Sequence, residues 1–589
     1  MSVFSVDPQA GNPVTSEVLD EVCKSLGVRL KKEEHEDYRK LLAVFDQSAR
    51  ELMEMDDYIT SVDLVRFPRT SYWKPEQTHG AWAWRCDIKD TQPNNGILAG
   101  KTICLKDMIS VKDIPMLLGT EFVTGYVPDM DATVVTRILE AGGRITGKAV
   151  CENLCHSATS HSSSTGTVEN PHAKGYSAGG SSSGSGVLVS LGEADMSIGA
   201  DQGGSVRIPA TNCGVVGLKP TFGLIPYTGC GSNEPTNDHL GPMTRTVLEN
   251  ALLLQAIAGT DNIDDRSFAA PAPSRIPRYY DILRSVNDPK HLSGMKIGII
   301  TESLEVPVLD PRVKDCFLAA AEGFRRLGAT IEEVSIPIHK KGSIIWTGVS
   351  KVGGYLTKMH PGAGRRGHMM HDLNGLFAEA LHDEAQWDKA YVATKNIYLN
   401  GAYAVKQYPS LLGKATNLSR RLRDAYDTAL EDYDVLITPT LPYVATSHPA
   451  SDATPLEQIK KQVGLTSNTC QFNQTGHPVL AMPIGMLEPL EGPGAGVGGV
   501  KLPVGMQIIG RWWGEEAVYR VGHAWELGHD LEKPGKLMRR TTAFFGPRET
   551  GDSPLCTSFG LSRCVTRRVA QPGTRLSARQ TTPRSGLLG

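Results

Sequence analysis

A chain of 589 residues is long enough for one large domain with appendages, or for two to three average ones. Its 61 Lys and Arg stand against 64 Asp and Glu, a net charge of −3, which excludes a generally basic nucleic-acid binder and any electrostatic pull toward anionic membranes. No apolar run approaches the ~18–20 residues of a spanning helix. The opening MSVFSVDPQAGNPV lacks the basic and apolar stretches of a secretory signal, and the 11 cysteines show neither a Cys-x-x-Cys pair nor a zinc spacing. Together these features set the expectation of a cytoplasmic protein with reduced thiols and no nucleic-acid or membrane partner.

In chain order, residues 15–60 place apolar side chains at helical spacing (Val18, Leu19, Val22, Leu26; Leu41, Leu42, Phe45). This predicts two or three helices in an N-terminal extension that packs on the core. Residues 64–95, rich in Pro, Trp and Asn, read as a connector, so the extension and connector occupy 1–95. From 96 the pattern changes to strand TICLKD, helix ATVVTRILEAGG and strand RITGKAV. Such alternation predicts an α/β core with a mixed sheet covered by helices.

The core pattern continues through MSIGA (196–200), CGVVGLKP (213–220), and the unit MKIGII, PRVKDCFLAAAEGFRRLG, ATIEEVSIP (295–337). Residues 341–432 lack strand signals and read as a helical insertion beside the substrate entrance. The sheet resumes at DVLITPT and ends with VGMQIIG and the helix EEAVYRVGHAWELG (515–528), giving a core of 96–340 and 433–532. The segment 535–589 carries ten Lys and Arg against two acidic residues. Its Arg, Ser, Thr, Pro and Gly content predicts a disordered basic tail that is dispensable for turnover.

The chemistry concentrates in GGSSSGSGVLVSLGEADMSIGADQGGSVRIPATNCGVVGLKPT (179–221). Ser181 follows Gly179-Gly180, and Ser205 follows Gly203-Gly204. Glycines before a serine let the backbone turn tightly and approach a ligand, and they leave N–H groups free to point at a carbonyl oxygen. That is the layout of a serine nucleophile beside an oxyanion hole. A Ser/Gly run is ordinarily a linker, but Ser205 lies outside the run, with apolar segments on both sides.

This stretch resembles the signature of the amidase signature family, serine hydrolases with a Ser–cis-Ser–Lys triad. GILAGKTICLKDMISVKDIPM (96–116) resembles the family segment that carries the catalytic lysine, here Lys106, which precedes Ser181 by 75 residues. DATVVTRILEAGGRITGKAVCENL (131–154), DHLGPMTRTV (238–247), YDVLITPTLPY (433–443), FNQTGHPVLAMPIG (472–485) and LPVGMQIIGRWW (502–513) continue it in order. Within the family, DQGGSVRIPA, KPTFGLIPYTG and the N-terminal extension are similar to the broad-substrate carboxamide amidases of nitrile degradation.

The resemblance implies a central mixed, twisted β-sheet covered by helices, no cofactor, no metal and a homodimer. It implies Ser205 as nucleophile, Lys106 as base and then acid, and Ser181, after a cis peptide bond, as the proton relay between them. Oxyanion donors would be the amides of Gln202, Gly203, Gly204 and Ser205, and Gln471, Asn473 and Thr475 would line the acyl pocket. Asp201 and Arg207 flank the nucleophile loop and are expected to pair structurally.

Three other patterns compete. Gly180-Ser181-Ser182-Ser183-Gly184 matches G-x-S-x-G, but no strand pattern precedes it. Gly142 to Lys148 resembles a P-loop but ends in Ala149 where Ser or Thr must hold magnesium. Cys151, Cys155, His156 and His161 cluster, yet lack a second ligand pair. The expected activity is hydrolysis of small to medium carboxamides to acid and ammonia through an acyl-enzyme. Alternatives are a pathway-specific amide hydrolase, the glutamine-hydrolysing subunit of a tRNA amidotransferase, and a lipid-amide hydrolase, the last without a visible membrane-facing helix.

Overall fold

The computed structural model describes residues 5–529 except 70, 77–78, 93–94, 287, 289–291 and 361–365. The expected tail at 535–589 lies outside the described residues.

Among the described residues, eleven strands form one sheet. They are β1 (Trp82–Ile88), β2 (Thr102–Lys106), β3 (Arg144–Ala149), β4 (Met196–Asp201), β5 (Val216–Lys219), β6 (His239–Thr244), β7 (Lys296–Ile300), β8 (Thr330–Val334), β9 (Val435–Pro439), β10 (Val479–Leu487) and β11 (Leu502–Ile509). Their spatial order is β1-β3-β2-β4-β6-β5-β10-β11-β9-β7-β8. Strands β3, β2 and β4 run parallel, as do β9, β7 and β8; the contacts between these groups are antiparallel. Strands β4, β9 and β11 are buried along their whole length. A sheet covered on both faces requires this and leaves near-continuous apolar runs in the sequence.

One segment differs from expectation. Trp82–Ile88, read as connector, is the edge strand β1, antiparallel to β3 with Trp82 opposite Ala149. The apolar run 187–189 belongs to the helix Ser183–Ser190, whose first seven residues are buried. A helix that is apolar all round sits in the middle of a core.

The N-terminal extension forms the helices Ser16–Leu26 and His35–Glu54. Thr15 caps the first by accepting from the Val18 amide, and Gly27, at φ 69°, ends it. The two are tied by His35 to Asp20 at 2.9 Å, and Arg39 reaches back to the Val14 carbonyl at 3.0 Å. Of the apolar stripe, only Leu19 is buried and Leu42 half-buried. Val18, Val22, Leu26, Leu41 and Phe45 are all exposed, Leu26 at 70% and Phe45 at 68%.

The described residues of 342–432 form five helices, Gly342–Met359, His371–His382, Glu384–Lys389, Val392–Gln407 and Leu411–Asp432. Among the described residues, no helix is long and apolar enough to cross a membrane.

Candidate active site

The parallel strands β2 and β4 are neighbours, with Leu105 opposite Ile198, so Lys106 and Asp201 leave the sheet at the same end. Ligands bind at the carboxyl ends of such strands. Lys106 is fully buried; its Nζ donates to Ser181 Oγ at 2.8 Å and to the Ala200 carbonyl at 3.3 Å. The Gly180–Ser181 peptide is cis. Gly179 stands at φ 76°, where a Cβ would meet Pro209 Cα at 2.8 Å, so no larger residue fits ahead of Ser181.

Ser205 follows β4 in the loop that leads into the helix Arg207–Cys213. Its carbonyl accepts from the Ser182 amide at 3.3 Å, which joins the two serine segments. Ser205 also faces a cavity of about 260 Å³, together with Gln202 and Gly203. The fold thus brings Lys106 and Ser181 into contact and sets Ser205 on the cavity wall.

The loop is anchored from behind by a buried ion pair. Arg207 Nη2 lies 2.9 Å from Asp201 Oδ1, both side chains being fully buried. The guanidinium also donates to the Thr469 carbonyl, Gln507 Oε1 and Asn473 Oδ1. Burial works against the Asp201 charge, but Arg207 and the Asn473 amide hold its carboxyl below the usual carboxylate range. This carboxylate accepts the Gly204 amide at 2.7 Å and the Val206 amide at 3.1 Å. Replacing Arg207 by Ala is expected to destabilise the protein by about 3–5 kcal/mol, because the buried Asp201 charge loses its partner. Chemical unfolding of the variant checks this; an unchanged midpoint would contradict it.

Four expected site residues need correction. The Gly204 amide is committed to Asp201, so it leaves the oxyanion set, and Gln202, Gly203 and Ser205 remain on the cavity side. Asn473 does not line the cavity: its amide donates to the Asp201 carbonyl at 2.9 Å and to Asp201 Oδ1 at 2.8 Å. Gln471 is fully buried and donates to the His339 carbonyl. Thr475 is paired with His477 Nδ1 at 2.9 Å. None of these three borders the cavity that Ser205 faces.

The cavity wall comes instead from the helical region 342–432 and from loops the sequence does not single out. Trp346, Ile397, Val463 and Leu465 supply apolar surface; Glu234 and Lys351 join Cys155 and His156 as ionisable groups on the wall. Burial pushes the Glu234 carboxyl up to about 7, against hydrogen bonds from Thr236. Burial also pushes the Lys351 amine down to about 8. In both cases burial disfavours the charged form.

The competing patterns resolve into structure. Ser182, the central serine of the G-x-S-x-G match, is buried and bonded to the Ala200 carbonyl at 3.2 Å. Lys148, the lysine of the P-loop match, is buried against Asp107 at 3.1 Å. Cys151 is buried, Cys155 and His156 border the cavity, and His161 bonds Tyr391 Oη at 2.6 Å. Among the described residues, no group of three or more His, Cys, Asp or Glu is arranged to hold a metal ion.

A sheet end that gathers a buried lysine, two serines and a row of backbone amides beside a cavity is the kind of site serine amidohydrolases use. The Amidase family model matches residues 75–519, and the chain belongs to this family: it is an amidase, acting on the C–N bond of small-molecule amides. It is 39% identical over 442 residues to an enantioselective amidase of Rhodococcus rhodochrous, covering 74% of this chain and 81% of that one. It is 32% identical over 459 residues to a glutamyl-tRNA(Gln) amidotransferase subunit of Natronomonas pharaonis, covering 76% and 99%. The peptide amidase of Stenotrophomonas maltophilia superposes with a TM-score of 0.58 at 26% identity, covering 74% and 83%.

Proposed function

We propose that the protein hydrolyses small to medium carboxamides to the carboxylic acid and ammonia through an acyl-enzyme on Ser205. The observation that carries this reading is the 2.8 Å contact between Lys106 Nζ and Ser181 Oγ, behind the loop that presents Ser205 to the cavity. The unprotonated amine of Lys106 takes the Ser181 proton while Ser181 takes that of Ser205. Ser205 Oγ then adds to the amide carbonyl. The developing oxyanion is met by amides of the Gln202–Ser205 loop. The proton returns through Ser181 to the leaving nitrogen, ammonia departs, and water repeats the sequence on the acyl-enzyme.

The cavity volume of about 260 Å³ falls near the lower end of small-molecule pockets, which supports a modest acyl group. The similarity to an amidotransferase component keeps glutamine as the second substrate to test. Assay of the purified chain alone on aliphatic, aromatic and indole acetamides beside glutamine separates the two. Turnover of simple amides supports the proposal; hydrolysis of glutamine alone would contradict it.

The exposed stripe of the N-terminal helices supports a homodimer, since an apolar face of this extent is ordinarily covered by a second copy. Light scattering is expected to give twice the chain mass, and Phe45→Glu with Leu26→Glu to halve it; a monomeric parent protein would contradict the dimer. The nine described cysteines are free thiols, which supports a reducing compartment, the cytoplasm.

A further inference from the structure

The loop that faces the substrate carbonyl must hold its amides in one direction. Each trans peptide points its C=O and the following N–H to opposite sides, so a bond to a carbonyl aims the next amide. Gly203 O accepts from Thr469 Oγ1 at 2.6 Å, and the next amide, Gly204, duly goes to Asp201. Gln202 O accepts from Trp346 Nε1 at 3.0 Å. The amide aimed by that bond is Gly203, which borders the cavity.

Trp346 also touches the loop with its ring: a Cβ on Gly203 would fall 2.6 Å from Trp346 Cζ2 and 3.0 Å from Cε2. The indole is fixed by its own helix, Gly342–Met359, whose first residue is clamped from the core. Gln474 Nε2 donates to the Gly342 carbonyl at 3.0 Å, and a Cβ on Gly342 would lie 2.3 Å from Gln471 Cγ. Gln471 therefore acts at one remove, by seating the helix that carries Trp346.

We infer that Trp346 is a positioning residue for oxyanion stabilisation: through the Gln202 carbonyl it aims the Gly203 N–H, and through its ring it sets how closely the loop can approach. The helical region thereby takes part in catalysis as well as in forming the cavity wall. This rests on Ser205 acting as the nucleophile.

Two variants test it. Trp346→Phe keeps an aromatic ring and removes the donor; benzothienylalanine at 346 keeps the whole shape and removes only the N–H. Loss of a direct oxyanion donor costs on the order of 10²–10³ in kcat, so a misaimed donor is expected to cost roughly 10-fold. KM should stay within about twofold, as befits an interaction made in the transition state. An aldehyde analogue of the substrate, whose Ser205 adduct carries the oxyanion, should lose affinity by the same factor as kcat, while the product carboxylic acid should bind as before. An unchanged kcat in the benzothienylalanine protein would overturn the inference. Equal losses for aldehyde and acid would also overturn it, leaving Trp346 as cavity wall alone. An active Ser205→Ala protein would instead remove the nucleophile, a failure distinguishable from either.

Discussion

Ser205→Ala is expected to abolish amide hydrolysis, with a fall on the order of 10⁶ in kcat, the size seen when a serine nucleophile is removed. The fold should survive. Ser205 is held through its backbone carbonyl, and loss of a hydroxyl on a cavity wall leaves no buried group unpaired. Thermal unfolding should therefore match the parent protein while turnover disappears. Retention of more than a few per cent of activity would remove Ser205 from the chemistry. Ser181→Ala should be milder, because a water molecule that replaces the lost hydroxyl can pass the proton.

Lys106→Ala and Lys106→Arg are expected to fall together, each by about 10²–10⁴ in kcat/KM, the usual worth of a positioned acid–base group. The comparison is informative because Arg keeps the charge and loses the function: a guanidinium stays protonated at every usable pH and cannot accept the relayed proton. Lys106 is fully buried with Nζ committed to Ser181 Oγ and the Ala200 carbonyl, so the larger fork also has no room. Circular dichroism should show both variants folded. A Lys106→Arg enzyme with near-native turnover would leave the serine pair without its base.

Much of the sheet was legible because its strands are buried on both faces. TICLK, MSIGAD and VLITP write that burial as unbroken apolar runs bounded by turns. Other strands were hidden by their composition. Trp82–Ile88 carries Trp, Arg and Asp at a sheet edge. Strand β6 contains Pro242 opposite Ile198, and a proline inside a sequence argues against an interior strand. The run 187–189 is apolar in either a buried helix or a buried strand, and periodicity cannot separate them.

The site divides in the same way. Ser181 and Ser205 stand out through local glycine context, and Lys106 through the resemblance of its segment to the one that carries the family's catalytic lysine. Trp346, Glu234 and Lys351 reach the cavity only through tertiary contacts between segments far apart in the chain, and nothing in their neighbours marks them. Gln471 and Asn473 show the reverse error. The family resemblance placed them on the acyl pocket, yet Asn473 is occupied by Asp201 and Arg207, whose positions only the folded chain reveals.

The most direct test of Ser205 as nucleophile is to quench the enzyme during turnover of a slow amide or ester substrate and map the acyl group by peptide mass spectrometry. The expected result is an acyl mass on the peptide containing Ser205, absent from Ser205→Ala and released as the hydroxamate by hydroxylamine. An acyl group on another residue, such as Cys155 on the same cavity wall, would contradict the assignment. So would product released at the full rate with no acyl-enzyme formed.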